Sequence, residues 1–236
     1  MFYRNFDYMK RSKKYLSVSK YIDFKKLYKV VEAIELIKQT RVTKFEPTVE
    51  CNLSLKLDPK KVEQNLRGVL FLPYGSGKKS KILVLTKGLK AKQAEEAGAD
   101  FVGEDELIDK IYKGWLEFDV LIATPDMMPS VSKLGRILGP KGLMPNPKVG
   151  TMTDNVVQAI TDIQKGCVEY RVDKTGNIHT ILGKYSFDKE KLIENLIYIY
   201  KHFVSVQPKI VKNNFFKSMT ISNTMAPGIK IDFLSI

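Results

Sequence analysis

Two kinds of apolar pattern alternate along this chain, and they predict two kinds of strand. Residues 48–57, TVECNLSLKL, alternate apolar and polar side chains, which is typical of a strand with one buried and one exposed face. Residues 81–88 and 118–126 instead contain uninterrupted apolar runs, as parallel strands do when helices cover both faces of their sheet. After residue 160 the alternating pattern returns. The chain therefore predicts two differently built domains, one of which interrupts the other.

Helical periodicity supports this division. Residues 91–99 and 105–115 lie between the two apolar runs, and this order predicts a small parallel, Rossmann-like sheet. The second helix is expected to place four residues on one stripe: Ile108, Ile111, Tyr112 and Trp115. Two further helices are expected over residues 23–38 and 188–203. The helix over residues 23–38 is expected to have Asp23 as its N-cap. Its expected inward residues are Leu27, Val30, Val31, Ile34 and Ile37. The expected inward residues of the helix over residues 188–203 are Leu192, Leu196, Ile199 and Phe203.

The expected fold class is accordingly α/β plus α+β, in two domains. Residues 1–73 and 161–236 are expected to form one discontinuous α+β domain from both ends of the chain. Residues 74–160 are expected to form an inserted Rossmann-like α/β domain. Only two chain crossings join such domains, so their relative motion breaks few contacts.

The charge of the chain indicates a polyanionic partner. The 39 basic and 26 acidic residues give a net charge of +13, and this excess is uneven. Residues 1–44 carry 12 basic and 4 acidic groups, a net charge of +8, whereas residues 74–160 carry 12 and 11. Nucleic acid is the usual partner of such a chain. The two ends, rather than the middle, are expected to bind it.

Several other classes of protein are not favoured. No apolar run approaches the roughly 18 residues that a membrane span needs, and the N-terminus lacks the apolar centre of a secretory signal. The two thiols, Cys51 and Cys167, form no metal-site or disulfide pattern and are expected to be buried in a reducing cytosol. His179 and His202 lack the neighbours of a general base or a metal ligand, so neither catalytic nor metal-binding residues are expected.

The segment PYGSGKKS, residues 73–80, only partly resembles a phosphate-binding loop. The Walker pattern requires glycine where this chain has Leu72, and Ser or Thr where it has Lys79. A flexible basic crossover between domains fits better. A phosphate-handling α/β enzyme built on residues 74–160 stays as an alternative, and it predicts saturable nucleotide binding.

The segment LGRILGPKGLMPNPKVG, residues 134–150, combines rigidity with positive charge. Five glycines and prolines fall between Gly139 and Pro147, which disfavours regular helix or strand. The glycine spacing does not match a dinucleotide fingerprint. Four cations stand in or beside the segment without acidic neighbours: Lys133, Arg136, Lys141 and Lys148. On these grounds alone it is either a stiff structural loop or a surface that contacts nucleic acid.

Residues 126–151, DMMPSVSKLGRILGPKGLMPNPKVGT, closely resemble the signature of the ribosomal protein L-one family. Further matches follow the family pattern in order along nearly the whole chain. They are KRSKKY (10–15), TKFEPTVE (43–50), NLRGVLFLPYGSGK (65–78), EEAGADFVG (95–103), DKTGNIH (173–179) and NTMAPGIKI (223–231). Because KRSKKY falls very near the N-terminus in that family, Met9 is a candidate for the true start.

The resemblance implies a ribosomal protein of bacterial type with no enzymatic activity and no cofactor. The composite domain is expected to bind the mobile stalk region of large-subunit rRNA, and the stalk to assist release of deacylated tRNA from the exit site. Bacterial members also repress translation of their own messenger RNA. A cytoplasmic, ribosome-associated protein that is monomeric outside the ribosome is expected, with an organellar ribosome as the alternative location. A dedicated RNA-binding repressor that never joins ribosomes is the second alternative.

The resemblance also implies which residues contact RNA. The main rRNA-binding set is Lys44, Phe45, Thr48, Glu50, Ser218, Thr224, Met225 and Ala226. The four cations of residues 133–148 form a secondary RNA contact. Ala226 departs from the family pattern, which has glycine there for an unusual φ or close RNA approach. We expect the alanine to weaken binding by no more than about 1 kcal/mol.

Overall fold

The structure is a computed structural model that describes residues 11–58, 64, 66–208 and 215–235. The chain divides into two compact units, Met1–Leu66 with Arg171–Ile236 and Arg67–Tyr170, which we call the terminal unit and the inserted unit. The inserted unit is longer at both ends than the 74–160 expected from sequence, because strand β2 (Arg67–Phe71) pairs with β6 (Cys167–Arg171). Met9, the alternative start, lies outside the described residues.

The terminal unit is built on a four-stranded antiparallel sheet. Its strand order is β7 (Asn177–Lys184), β1 (Thr48–Leu55), β8 (Phe216–Asn223) and β9 (Ile229–Ile231). The alternation expected for β1 is confirmed, since Val49, Cys51, Leu53 and Leu55 are buried and Glu50 is exposed. One face of the sheet thus belongs to the core, and the other presents polar side chains.

Helices α2 (Val30–Gln39) and α8 (Lys189–Ser205) cover the buried face, and the short α1 (Lys13–Ser19) precedes them. The expected inward residues of α8 are all buried: Leu192, Leu196, Ile199 and Phe203. Helix α2 starts later than expected, so the N-cap assigned to Asp23 is wrong. Leu27 and Val31 are also more than half exposed rather than inward.

The late start of α2 has a tertiary cause. Tyr28 is extended and pairs with the last strand, where its N–H donates to Lys230 O at 3.0 Å and its carbonyl accepts from Asp232 N at 2.9 Å. These backbone bonds cannot form in a helix, so the pairing overrides the local helical periodicity.

The inserted unit confirms the Rossmann-like prediction. Its parallel sheet has the order β4 (Phe101–Gly103), β3 (Ile82–Leu85) and β5 (Val120–Ala123). Helices α3 (Leu89–Glu96), α4 (Asp105–Tyr112) and α7 (Val156–Gln164) accompany it, with separate apolar clusters on the two faces. Tyr112 does not belong to the inward stripe, because it is 72% exposed. The mixed fold class expected from sequence is confirmed.

The Gly/Pro-rich segment is more regular than expected. Helix α5 (Met128–Ser132) precedes it, α6 (Gly135–Leu138) occupies its first part, and a 3-10 helix spans Pro147–Val149. Leu134 and Leu138 are buried against the parallel sheet. These two apolar anchors stabilise the short helices despite the flanking glycines.

The cysteines are structural. Cys51 is fully buried, and burial raises the pKa of its thiol to about 12. Burial, together with Asp162 and Glu169, raises the pKa of Cys167 to about 11, although this residue is only partly buried. Within the described residues no group of three or more His, Cys, Asp or Glu could hold a metal ion. No described helix is long and apolar enough to cross a membrane.

Candidate nucleic-acid interface

The first residue of β1 and the turn after β8 are joined by reciprocal hydrogen bonds. The Thr48 N–H donates to Thr224 Oγ1 at 3.1 Å, and the Thr48 carbonyl accepts from the Thr224 N–H at 3.1 Å and its hydroxyl at 3.2 Å. Lys184 of β7 donates to Thr48 Oγ1 at 2.9 Å. Three strands therefore meet at one sheet end, where two of the expected RNA-binding residues touch.

The turn after β8 holds Met225 outward in a strained conformation. The Ala226 N–H donates to Asn223 O at 2.9 Å, closing a four-residue turn, and Met225 at its third position has φ 68°. Met225 is the one non-glycine residue with positive φ in the part of the chain that the structure describes, and it is 72% exposed. The left-handed residue is therefore Met225 and not Ala226, so the alanine introduces no backbone strain of this kind.

A buried hydrogen bond to helix α2 holds the turn after β8 in place. Asn223 is buried, and its Nδ2 donates to the carbonyl of Ile37 near the end of α2 at 2.7 Å. This bond fixes the end of β8 against a helix. A rigid support of this kind keeps the exposed Met225 in place despite its strained φ.

A second segment, residues 41–47, is braced by Arg41. Its guanidinium donates to the carbonyls of Thr43, at 3.1 Å, and of Lys44, at 2.9 Å, with a longer bond to Phe45 O at 3.3 Å. The Thr43 hydroxyl also donates to Phe45 O. With its backbone held in this way, Phe45 leaves its ring 60% exposed. The segment thus presents an aromatic ring beside an exposed lysine.

The base of this segment is fastened to residues 185–187. The Lys38 ammonium donates to the carbonyls of Tyr185 and Phe187, and the Tyr185 hydroxyl donates to Lys38 O at 2.6 Å. Burial lowers the pKa of Lys38, while the nearby carboxylate of Asp188 opposes that shift. The Tyr185 N–H donates to Pro47 O at 3.1 Å, which ties the start of β1 to the same support.

The exposed face of the sheet continues the polar surface. Glu50 pairs with Ser222 across β1 and β8, and its side chain makes no hydrogen bond or ion pair within the described residues. Asn52 Oδ1 accepts from His179 Nδ1 at 2.7 Å, and the Asn52 Nδ2 donates to Ser222 Oγ at 3.5 Å. His179 is therefore a polar member of this face, and its Nε2 lies 3.7 Å from Asp173 Oδ2.

Seven of the eight expected residues lie in the two joined segments. We call them the strand-end cluster: Lys44, Phe45, Thr48, Glu50, Thr224, Met225 and Ala226. Ser218 is on the same face but pairs with Ser54, four residues along β8 from Ser222, a separation of about 13 Å. The structure therefore places it apart from the cluster.

Several residues that shape this surface were not predicted from sequence. Arg41 and Lys184 act through contacts between segments distant in the chain, for which the sequence carries no signal. Asn52 lies two residues from Glu50 on the polar face of β1, and this spacing was the signal that could have identified it. Ser222 alternates with Thr224 in the same way.

The four cations of residues 133–148 in the inserted unit are all exposed, and no ion pair neutralises any of them within the described residues. The segment that carries Lys133, Arg136, Lys141 and Lys148, which we call the basic lip, is also tightly held. Thr151 Oγ1 accepts from Asn146 N at 2.8 Å, and the Thr151 carbonyl accepts from Ala123 N at the end of β5. The basic lip is thus both a stiff loop and a positively charged surface.

Residues 73–80 do not form a phosphate-binding loop. Such a loop follows a strand and opens a helix, whereas here the next element is strand β3. A depression of about 330 Å³ beside Lys78 is also lined by Asp100, and Lys78 is paired with Asp119 at 2.5 Å. The carboxylates oppose an anion at this place.

Glycine at position 225 should be tolerated better than glycine at position 226. Met225→Gly relieves left-handed backbone strain of about 1–2 kcal/mol in the folded protein. Glycine also raises the conformational entropy of the unfolded chain, which destabilises the fold by about 0.5–1 kcal/mol. The free energy of unfolding should therefore be unchanged or slightly higher. Ala226→Gly relieves no such strain and only raises the conformational entropy of the unfolded chain. It should therefore lower the free energy of unfolding by about 0.4–1 kcal/mol. Urea unfolding of both variants measures this difference. Equal destabilisation by the two variants would contradict the left-handed conformation at Met225.

Residues 36–227 match the family described as the Ribosomal protein L1p/L10e family. The Large ribosomal subunit protein uL1 of Aster yellows witches'-broom phytoplasma (strain AYWB) is 61% identical over 228 residues, which cover 97% of this chain and 99% of that protein. Its counterpart in Onion yellows phytoplasma (strain OY-M) is equally similar, and that of Phytoplasma australiense is 59% identical over 97% of this chain and its own full length. This chain therefore belongs to the ribosomal protein L1p/L10e family, whose members are structural proteins of the ribosome and not enzymes.

Proposed function

We propose that this protein, as a constituent of the large ribosomal subunit, binds the mobile stalk region of the rRNA through the strand-end cluster. The observation that carries the proposal is the hydrogen-bonded junction of Thr48 and Thr224. It groups seven residues that the family resemblance identifies as RNA contacts. The similarity to the phytoplasma uL1 proteins supports the ribosomal setting.

The side chains of the cluster are suited to RNA. The Glu50 carboxylate is exposed and unpaired among the described residues, so it can accept hydrogen bonds from ribose 2′-hydroxyls or from amino groups on base edges. Phe45 and Met225 offer exposed apolar surface to sugars and bases. A carboxylate repels phosphates, so Glu50 favours recognition of riboses and bases over general binding to the backbone. Lys44 and the charge of the chain ends supply the phosphate contacts.

The same surface is proposed to bind this protein's own messenger RNA. A messenger that folds like the stalk would compete with rRNA for the strand-end cluster, so free protein would repress translation only when rRNA sites are filled. The two RNAs would then bind in a mutually exclusive way, because both need the Thr48–Thr224 junction and its flanking side chains.

The basic lip is proposed as the secondary RNA contact, which meets rRNA or the deacylated tRNA that leaves the exit site. Its four exposed and unneutralised cations, with their backbone held by Thr151, form a preorganised surface for phosphates. Preorganisation matters because the lip gains charge contacts without ordering a flexible loop.

Binding to a stalk-rRNA fragment and to a length-matched scrambled RNA tests the primary proposal. Across a salt series, log K should fall with log salt for both RNAs, with the stalk fragment bound roughly 10³-fold more tightly at physiological salt. Phe45→Ala should reduce only the stalk affinity, by about 1 kcal/mol or more, because it removes a largely exposed ring on which a base can stack. Tyr112→Ala, which removes a ring of similar exposure from the inserted unit (72% against 60%), serves as the control.

Equal binding of wild-type protein to both RNAs would contradict the proposal, since charge alone would then account for the affinity. The leader of the protein's own messenger RNA serves as a competitor in the same assay. It should displace the stalk fragment completely, and simultaneous binding of both RNAs would contradict a shared surface.

Replacing Arg136, Lys141 and Lys148 with alanine should slow release of deacylated tRNA from ribosomes carrying the variant protein. Stalk-fragment affinity should change by less than the effect on tRNA, because the lip is a secondary contact. A variant with alanine at Lys92, Lys110 and Lys113 loses the same charge from other exposed positions of the inserted unit and is the control. Unchanged tRNA release and rRNA affinity in the lip variant would remove its proposed role.

A further inference from the structure

A depression of about 420 Å³ adjoins the strand-end cluster in the terminal unit. Its lining residues include Arg11, Ser12 and Tyr15 from the N-terminal segment, Met225 and Pro227 from the turn after β8, and Val42. Met225 belongs both to the cluster and to the depression. The volume falls within the range of about 300–1,000 Å³ typical of small-ligand sites.

The wall formed by residues 11–15 has a defined geometry. The Arg11 guanidinium carbon lies 5.0 Å from the centroid of the Tyr15 ring, within the distance of a cation–π contact. The Ser12 hydroxyl accepts from the Tyr15 N–H at 3.2 Å and so fixes the backbone that carries the ring. A planar cation and an aromatic ring are thereby held together at the edge of the depression.

The charge of this region selects the class of ligand. None of the described residues that line the depression is acidic, and Lys13 and Lys14 are exposed next to Arg11 and Tyr15 in the chain. The side chains therefore combine stacking surface, a pliable methionine and unopposed positive charge. This combination matches a nucleotide, whose base is flat and apolar on its faces and whose phosphate is anionic.

We propose that the depression holds one unpaired nucleotide of the RNA that binds the strand-end cluster. Its base contacts the Arg11–Tyr15 pair and Met225, and Lys13 and Lys14 meet the flanking phosphates. The inference rests on the proposed RNA function and extends its surface to residues 11–15. It also gives an RNA-binding role to the basic and aromatic segment KRSKKY, which is not part of the strand-end cluster.

The test compares substitutions of Tyr15 in full-length protein bound to the stalk-rRNA fragment. Tyr15→Leu removes the aromatic face and should weaken binding about 5- to 150-fold, the range for loss of one stacked base. Tyr15→Phe keeps the face and should bind as wild type. The slope of log K against log salt should stay unchanged in Tyr15→Leu, because no phosphate contact is lost. Arg11→Ala should also weaken binding, since it removes half of the pair.

Tyr21→Leu is the matched control, because Tyr21 is 66% exposed and does not line the depression. Urea unfolding of each variant verifies that a loss of binding is not a loss of fold. If wild-type protein prefers the stalk fragment while Tyr15→Leu and Tyr21→Leu bind equally well, the nucleotide site is wrong and the proposed function stands. If wild-type protein shows no preference over scrambled RNA, the proposed function itself is overturned.

A second readout identifies the bound group. Ultraviolet crosslinking of the stalk fragment to wild-type protein should join the peptide that contains Tyr15 to one nucleotide in a single-stranded position. Crosslinks spread over paired nucleotides, or a Tyr15 peptide that crosslinks only to scrambled RNA, would overturn the proposal. Protection of this peptide by a protein partner instead of RNA would do the same.

Discussion

The hydrogen bonds between Thr48 and Thr224 connect two residues that are 176 positions apart in the chain. They join the start of the central strand to the turn after β8, and so bring the two segments of the strand-end cluster together. Because both chain ends contribute to one sheet, a whole α/β domain can be inserted between them without interrupting the surface. The proposed RNA interface is thus a product of tertiary pairing, and neither segment alone contains it.

The residues that support this surface differ from those that face outward. Arg41, Lys38 and Asn223 use their donors on backbone carbonyls and hold the two segments in place. Phe45, Glu50 and Met225 are exposed, and Met225 occupies a left-handed conformation that costs about 1–2 kcal/mol. Strain of this kind persists where the surrounding structure determines the backbone, and it is common at ligand-binding sites.

Much of the fold was predictable because burial alone decides it. The alternation of β1, the inward stripe of α8 and the apolar parallel strands each follow from the side chains of one segment. The start of α2 was not predictable from such a segment, since the backbone pairing of Tyr28 with the last strand competes with helix formation. The wider bounds of the inserted unit depend similarly on the pairing of β2 with β6, two strands about 100 residues apart.

The candidate site was less accessible to reasoning from residue patterns. A polar strand face is ordinarily just solvated, so Thr48 and Glu50 drew attention only through the family resemblance. That resemblance could not show that Met225, rather than Ala226, adopts the left-handed conformation, nor that Ser218 lies about 13 Å along the strand from Ser222. It also could not reveal the depression beside Arg11 and Tyr15, which exists only once the N-terminal segment packs near the turn after β8.

Hydroxyl-radical footprinting of the protein with and without the stalk-rRNA fragment tests the central claim most directly. Phe45 and Met225 are 60% and 72% exposed, so both should be oxidised in the free protein and protected in the complex. Leu89 and Tyr112, 80% and 72% exposed in the inserted unit, provide internal controls whose oxidation should change little. Protection of both cluster residues is the predicted result. Protection confined to the inserted unit, with Phe45 and Met225 oxidised as in the free protein, would contradict the account.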